Sequence, residues 1–297
     1  MKSTEQGYLL LTSHLADAQR PVLTVAQFRK LAMAVLSSDS TREDRQLLPE
    51  DLVALGYSRP FAERVIGLLA EEERLKHYLF QAKRTNCTPI TRVTEGYPVG
   101  LRQKLGLDSP GVLWAKGDVS LLGRPAAALV GSRELREENA AFAQEVGRQA
   151  AEQGYVLISG NARGADRLAQ ESCLASGGQV ISIVADCLQE QSLRENMLFL
   201  SEDSYDMPFT TQRALSRNRL IHAMGSMTFV AQSGLEKGGT WSGSVNNLRH
   251  GYSPLYVFQD GSAAAEALRN RGAKSVTEAM LTDLSALQIE EQERINL

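Results

Sequence analysis

The feature that most constrains the fold is an alternation of short apolar runs with helical patterns, which begins at residue 126. The runs are AAALV, YVLIS, QVISIV, SMTFVAQ and PLYVF, and each is almost continuously apolar. Strands that are buried on both faces of a parallel sheet have this composition, and the intervening helices supply the crossover connections. The sequence therefore predicts an α/β fold with a doubly wound, mostly parallel sheet over residues 126–272.

The remainder of the chain carries other patterns. Residues 1–82 place apolar residues at helical spacing and are expected to form a helical N-terminal domain. Residues 83–125 mix a short β-branched strand with Pro and Gly turns, so we interpret them as a connector that enters the sheet domain. In residues 273–297, Ser275 and Glu278 have capping-box spacing, which predicts one amphipathic C-terminal helix.

Composition excludes several classes of protein. The three cysteines have no CxxC spacing and the four histidines share no ligand spacing, so neither a disulfide framework nor a metal site is expected, and no cofactor is expected either. No apolar run approaches the length of a membrane span, and the N-terminus lacks the apolar block of a signal peptide. A cytoplasmic protein without a membrane partner is therefore expected.

The charge balance limits how the chain could bind a polyanion. Lys and Arg number 32 against 35 Asp and Glu, which gives a net charge of −3. A protein that binds nucleic acid through general surface charge is instead strongly basic. Any phosphate binding must therefore come from a few convergent arginines and backbone amides in a pocket.

The segment GNARGAD, which follows the second apolar run of the sheet domain, is the first candidate for such a pocket. Gly160 and Gly164 allow a sharp turn, and a helix is predicted to begin near Ala165. The amides at that helix N-terminus, together with the Arg163 side chain, predict an anion site, although a tight turn without a ligand has the same composition. Asp166 is expected to cap the helix and to steady the loop.

Two further elements place arginines after strands. In GSR, residues 131–133, a glycine, a hydroxyl and a guanidinium could hold a phosphate, or Arg133 could simply be exposed. In RALSRNRLIHAMG, Arg217 and Arg219 lie two apart on a predicted helix and cannot share one face. One of them is expected to reach the ligand and the other to form a structural bridge. Asn218 is a candidate hydrogen-bonding partner for a base edge or for a backbone amide.

The fourth element, EKGGTWSGS, offers amides and hydroxyls for a second phosphate or a ribose. Trp241 within it could stack on a base or be buried beneath its helix, and Phe209 is the other aromatic residue that could stack on a base. Since each of the four elements follows a strand of one sheet, we expect them to share one groove at the carboxyl edge of that sheet.

The motifs VGSR, SGNARGAD, SRNRLI and GGTWSGS, preceded by ITRVTEGYPVGLRQ and PGVLWAKGDVSLL, resemble the DNA-processing protein A (DprA or Smf) family of the SLOG group, over roughly residues 88–258. This resemblance implies a Rossmann-like fold and a homodimer that binds single-stranded DNA without known catalysis and passes it to a RecA-type recombinase. The nucleic-acid-binding set expected from the resemblance and the loops is Gly131, Ser132, Arg133, Ser159, Gly160, Asn161, Arg163, Gly164, Arg213, Arg217, Asn218, Arg219, Lys237, Gly238, Gly239, Thr240 and Ser242.

Departures from the family pattern leave alternatives open. The family usually has Ile where Ala165 stands, Phe-Pro before Arg-Asn-Arg, and a Ser-Gly-Ser-Leu-Ile-Thr run where this chain has KGGTWSGS. The last loop is closer to the Gly-Gly-x-Gly-Thr type of nucleotide-binding SLOG proteins. One alternative is therefore a nucleotide sensor, or an N-glycosidic hydrolase that uses Glu236 or Asp166. Another is an architectural protein that assembles through its N-terminal helices and sheet edge.

Overall fold

The computed structural model describes residues 1–38, 47–202 and 204–287. Its strands are β1 (Thr88–Thr91), β2 (Val112–Gly117), β3 (Ala126–Val130), β4 (Val156–Ser159), β5 (Gln179–Ile183), β6 (Met197–Ser201), β7 (Met227–Val230), β8 (Leu255–Phe258) and β9 (Lys274–Val276). Its α-helices are α1 (Ser3–Thr12), α2 (Val25–Leu36), α3 (Pro49–Ala54), α4 (Arg59–Leu69), α5 (Glu72–Arg84), α6 (Val99–Leu105), α7 (Glu137–Glu152), α8 (Ala165–Ala175), α9 (Thr211–Met224), α10 (Gly238–His250) and α11 (Ala263–Asn270).

All of these strands belong to one sheet, in the order β1-β2-β6-β5-β4-β3-β7-β8-β9. The pairings β1–β2 and β2–β6 are antiparallel, and the remaining pairings are parallel. Buried clusters cover both faces of the sheet, so Leu129 packs in one cluster with Phe142, and Val130 packs in the other with Leu220. The predicted α/β fold with a doubly wound, mostly parallel sheet is confirmed.

The strand order reverses between β3 and β7, which is the topological switch point of the sheet. From β3 the chain proceeds through β4 and β5 to β6 on one side, whereas β8 and β9 follow β7 on the other. In open α/β sheets the crevice for a ligand lies outside the carboxyl ends of the strands at such a point. The fold therefore places the loops that follow β3 and β7 on either side of a crevice.

The N-terminal helices share a core with the sheet. Tyr8 on α1 and Tyr78 on α5 are buried in the same cluster as Trp114 of β2. A smaller cluster that includes Leu31 and Val65 joins α2 to α4. Helices α1 and α5 therefore lie directly on the sheet domain, and α2 to α4 pack outside them.

Four strands of the sheet lie outside the predicted alternation. β1 is the short β-branched strand of the predicted connector, β2 lies in the same connector, and β6 lies in a stretch to which no element was assigned. The fourth, β9, corrects the helix predicted from Ser275: Val276 is buried and the strand pairs with β8, so burial at the sheet edge outweighs the capping-box pattern. A 3₁₀ helix follows at Glu278–Thr282. The last part of the predicted helix, residues 288–297, lies outside the described residues.

In the part of the chain that the structure describes, none of the helices has both the length and the apolar composition that crossing a bilayer requires.

Candidate functional site

Residues from all four predicted loops line one cavity of about 450 Å³ at the carboxyl edge of the sheet. We call this cavity the groove. The residues of the predicted binding set that line it are Gly131, Ser132, Arg133, Arg217, Asn218, Lys237, Gly238, Gly239 and Thr240. From the loop after β4 and the start of the helix that follows it, Ala162 and Asp166 also line the groove. The shared groove that was expected from the strand–loop alternation is therefore present.

The loop after β4 differs from its prediction, because the first amide of α8 is already hydrogen-bonded within the protein. The first amide of α8, on Ala165, donates to the carbonyl oxygen of Ser132 at 3.2 Å. At Gly164 φ is +88°, and a Cβ there would lie 2.5 Å from the carbonyl oxygens of Ser132 and Arg133. The loop after β3 therefore covers the start of α8, which corrects the anion site that we predicted there.

Gly164 has a positive φ and lies close to two backbone carbonyl oxygens, so its replacement gives a testable prediction. Replacing Gly164 with Ala should lower the free energy of unfolding by about 2–4 kcal/mol, because it adds left-handed backbone strain and a clash with two backbone carbonyls. Gly177→Ala is the matched control, since φ is +76° at Gly177 but a Cβ would meet nothing within 4 Å. The control should lose only about 1 kcal/mol in urea unfolding. Equal losses would show that the loop contact contributes nothing.

Asp166 steadies the loop but does not cap the helix. The N-cap position of α8 is Gly164, and the Asp166 carboxylate accepts a hydrogen bond from the Ala162 amide at 3.2 Å. Burial raises the pKa of Asp166, and the nearby Arg217 guanidinium opposes this effect. The carboxylate thus holds the loop from inside the protein.

Arg217 is the arginine of the Arg-Asn-Arg element that reaches the groove. Its side chain is buried, and its Nη1 donates to the carbonyl oxygen of Ile183 at 2.5 Å. The guanidinium occupies the space that a side chain at Gly160 would fill, so the glycine allows this close approach. Burial lowers the pKa of Arg217 and the Asp166 charge opposes this effect. Among the described residues, Arg217 Nε has no hydrogen-bonding partner.

Arg219 is the arginine that forms the structural bridge, as the two-residue spacing predicted. Its Nη2 pairs with Glu202 at 2.7 Å, outside the groove. Arg213 requires a correction, because its buried guanidinium donates to carbonyl oxygens of Ala185, Met207 and Pro208 at 2.6–2.8 Å. These bonds fix the loops around α9. Arg213 therefore has a structural role and does not line the groove.

Other members of the predicted set also lie outside the lining. Ser159 is buried, and its hydroxyl accepts a hydrogen bond from Gln170 at 2.6 Å. Asn161 has φ of +61° and donates to Gln191 at 3.2 Å, so it shapes its own loop. Ser242 is exposed on α10 outside the lining residues. The Ser159 hydroxyl and the Asn161 amide therefore bond within the protein.

The cationic side chains that are exposed at or beside the groove come from three of the four predicted elements. Arg133 and Lys237 are exposed and line the groove. The Arg163 side chain is 76% exposed and lies 3.7 Å from Glu134, which is itself exposed. An ion pair this open to solvent contributes little, so Arg163 is available to a ligand beside the groove.

The N-terminus of α10 faces the groove. Lys237 is its N-cap residue and makes no side-chain capping hydrogen bond. Gly238, Gly239 and Thr240 form the first turn and line the cavity. The partial positive charge of a helix N-terminus favours an anion at this position.

The two aromatic candidates for base stacking, Phe209 and Trp241, differ in their exposure to solvent. Phe209 is 52% exposed and lines the groove. Trp241 is 7% exposed, and the Arg271 guanidinium lies 5.0 Å from the centre of its ring. Trp241 is therefore buried, the second of the two outcomes considered for it, and only Phe209 of the pair can contact a ligand.

Sequence reasoning missed His222 and Leu215, which also line the groove. His222 is buried on its floor, and desolvation lowers the pKa of the imidazole to about 3, so the ring is neutral. His222 lies one helical turn beyond Asn218 on α9, and Leu215 lies one turn before it. Helical spacing from Asn218 could have identified both residues.

The model of the DNA recombination-mediator protein A family matches residues 88–284. The DNA processing protein DprA of Bacillus subtilis is 26% identical over 215 residues, which are 67% of this chain and 71% of that relative. A related protein from Mycobacterium tuberculosis is 28% identical over 188 residues, and the match spans 48% of its length.

Two solved structures share the fold. The X-ray structure of DprA from Streptococcus pneumoniae has a TM-score of 0.65 and 22% identity, and the match covers 87% of this chain and 96% of that one. A structure of DNA processing protein A from Helicobacter pylori, which concerns its single-stranded DNA binding mode, has a TM-score of 0.55 and 23% identity. That match covers 70% of this chain and 96% of the other.

Proposed function

This chain belongs to the DNA recombination-mediator protein A family, and from that premise we propose that it binds single-stranded DNA in the groove. The observation that carries the proposal is the composition of the groove. Exposed Arg133 and Lys237, the open N-terminus of α10 and the half-exposed ring of Phe209 all border one cavity. Cations with amides suit a phosphate backbone, and an exposed aromatic ring suits unstacked bases.

A small number of cationic side chains hold the phosphate backbone of the DNA. Arg133 and Lys237 border the groove, and Arg163 lies beside it with its side chain largely exposed. Arg217 adds a buried positive charge beneath them. This concentration of cations allows a chain of net charge −3 to attract a polyanion at one edge of its sheet.

Binding of oligothymidine should fall with salt. With three exposed cations at about 0.7 counterions per neutralised phosphate, the logarithm of the affinity should fall with a slope of about −2 against the logarithm of salt concentration. Fluorescence polarisation of a labelled oligothymidine at several salt concentrations measures this slope. No binding at tens of micromolar protein would overturn the proposal.

A free nucleotide is the competing ligand, since a cavity of about 450 Å³ is of a size that holds a small molecule. Thermal-shift measurements with nucleotides separate the two ligands, because a small ligand that binds the folded state stabilises it by mass action. Hydrolysis of an N-glycosidic bond is disfavoured. Glu236 is not among the residues that line the groove, and the Asp166 carboxylate accepts a hydrogen bond from its own loop.

The family resemblance extends the proposal to assembly. We propose that the chain forms a homodimer and passes its bound strand to a RecA-type recombinase. Sedimentation of the full chain tests the first step. Strand exchange by RecA on a strand already covered with single-stranded-DNA-binding protein, with and without this chain, tests the second.

A further inference from the structure

We propose that Tyr78 on α5 is a positioning residue for strand binding, which holds residues 204–210 so that Phe209 stands in the groove. This inference rests on the proposed function, because it concerns the base-stacking part of the same site. Residues 204–210, here called the Phe209 segment, directly precede α9. The N-terminal helices thereby become part of the binding site.

The Phe209 segment has no regular secondary structure, so individual contacts hold it, and one of them is the hydrogen bond from the Gln189 amide to the carbonyl oxygen of Tyr205 at 2.9 Å. At its first end, the Tyr78 hydroxyl contacts the Ser204 hydroxyl and donates to Asp206 Oδ1 at 3.0 Å. The Ser204 hydroxyl also donates to Asp206. All three groups belong to one hydrogen-bonded cluster between α5 and the segment.

Aromatic packing holds the same end of the segment. The rings of Tyr78 and Tyr205 lie 4.7 Å apart between centroids, and Tyr205 lies 4.9 Å from Trp114 of β2. The Tyr205 hydroxyl donates to the carbonyl oxygen of Tyr78 at 3.1 Å. Tyr205 is therefore anchored by its ring and backbone contact, whereas Ser204 and Asp206, which also bond to each other, are joined to α5 by the Tyr78 hydroxyl.

The second end of the segment is held by α9. Arg213 donates to the carbonyl oxygens of Met207 and Pro208, and Thr210 caps α9 by accepting from the Arg213 amide at 3.1 Å. Phe209 follows Pro208 and precedes Thr210, so α9 holds its immediate neighbours while Tyr78 holds the start of the same segment, and the Phe209 ring is itself half-exposed. The position of its ring is therefore set by its neighbours rather than by burial.

This arrangement predicts a selective effect on base stacking. A ring that is already held in its binding position loses less conformational entropy when a base stacks on it. Tyr78→Phe removes one hydroxyl, keeps the ring cluster and releases Ser204 and Asp206. Asp206→Ala releases the segment from the other side without altering the aromatic cluster.

The test compares labelled oligothymidine with an abasic oligonucleotide of equal length, using the full chain. The wild-type protein should bind oligothymidine more tightly, and Phe209→Ala should lower that affinity about tenfold to the abasic level. Tyr78→Phe and Asp206→Ala should each lower it about threefold and leave the abasic affinity unchanged. Tyr78→Phe should have no further effect in the presence of Phe209→Ala, as expected for residues that act through one contact.

Tyr97→Phe is the matched control, because it removes another buried hydroxyl, which donates to the carbonyl oxygen of Pro110 at 2.7 Å. It should change neither affinity. An equal loss for both oligonucleotides in Tyr78→Phe, or no loss for either, would overturn the inference. Equal wild-type affinity for the two oligonucleotides would overturn it and leave the proposed function standing, whereas no binding of either would remove both.

Discussion

Replacing Arg217 with methionine is expected to lower the free energy of unfolding by about 3–5 kcal/mol and to remove binding of oligothymidine. Methionine keeps much of the apolar stem but leaves the buried carboxylate of Asp166 without its main opposing charge. It also removes the hydrogen bond to the carbonyl oxygen of Ile183. Urea unfolding monitored by circular dichroism measures the loss of stability.

Arg163→Met is the control for this substitution. The Arg163 side chain is 76% exposed, so its removal should change the free energy of unfolding by less than about 0.5 kcal/mol. A similar loss of stability in the two variants would mean that the burial of Arg217 beside Asp166 does not carry the effect.

The loss of stability in Arg217→Met should depend on pH. Burial already raises the pKa of Asp166 above its ordinary value of 3.8, and removing Arg217 should raise it further. A carboxyl whose pKa is higher in the folded state than in the unfolded state favours folding at low pH, and this contribution is lost as pH rises through the folded pKa. The variant should therefore be closer to wild type at pH 5 than at pH 7.5. An equal difference at both pH values would contradict the coupling of Arg217 to Asp166.

Replacing Arg133 and Lys237 together with glutamine is expected to weaken oligothymidine binding about 100-fold with little change in stability. Both residues are exposed and line the groove. A hydrogen bond to a charged group contributes about 1.5–3 kcal/mol, so about tenfold per residue is a conservative expectation. The salt slope should become shallower by about 1.4, since two phosphates lose their cations.

The matched control is Arg29→Gln with Lys30→Gln on α2. Both residues are exposed, and the substitutions remove the same net charge far from the cavity lining. This variant should bind oligothymidine with nearly wild-type affinity. Equal losses in the two double variants would show that overall charge, and not the groove, governs binding.

The position of the candidate site at the carboxyl edge of the sheet could be predicted from the sequence, because the patterns that indicate strands and helices are local. Apolar runs such as AAALV and VLIS are recognisable without knowledge of their neighbours, and parallel strands bring the loops after them to one edge. The spacing of Arg217 and Arg219 also predicted that one would reach the ligand and the other would not. Which one does so depends on Glu202 and Gly160, which lie elsewhere in the chain.

The errors have the opposite origin. Arg213 was predicted to bind the ligand, but its guanidinium donates hydrogen bonds to carbonyl oxygens of two loops. The N-terminus of α8 looked open, but the carbonyl oxygen of Ser132 accepts its first amide. Ser275 looked like a helix start, but its segment pairs with β8. In each case a group outside the local pattern satisfies the hydrogen-bonding potential first.

The sequence by itself therefore determined the α/β architecture and the edge of the sheet at which the four loops meet, because backbone periodicity and strand burial are encoded over a few residues. Only the tertiary structure decided which cations remain exposed to a ligand, which helix N-terminus stays open and which aromatic ring can stack. Those outcomes depend on competition for the same donors and acceptors between segments that are brought together only when the chain folds.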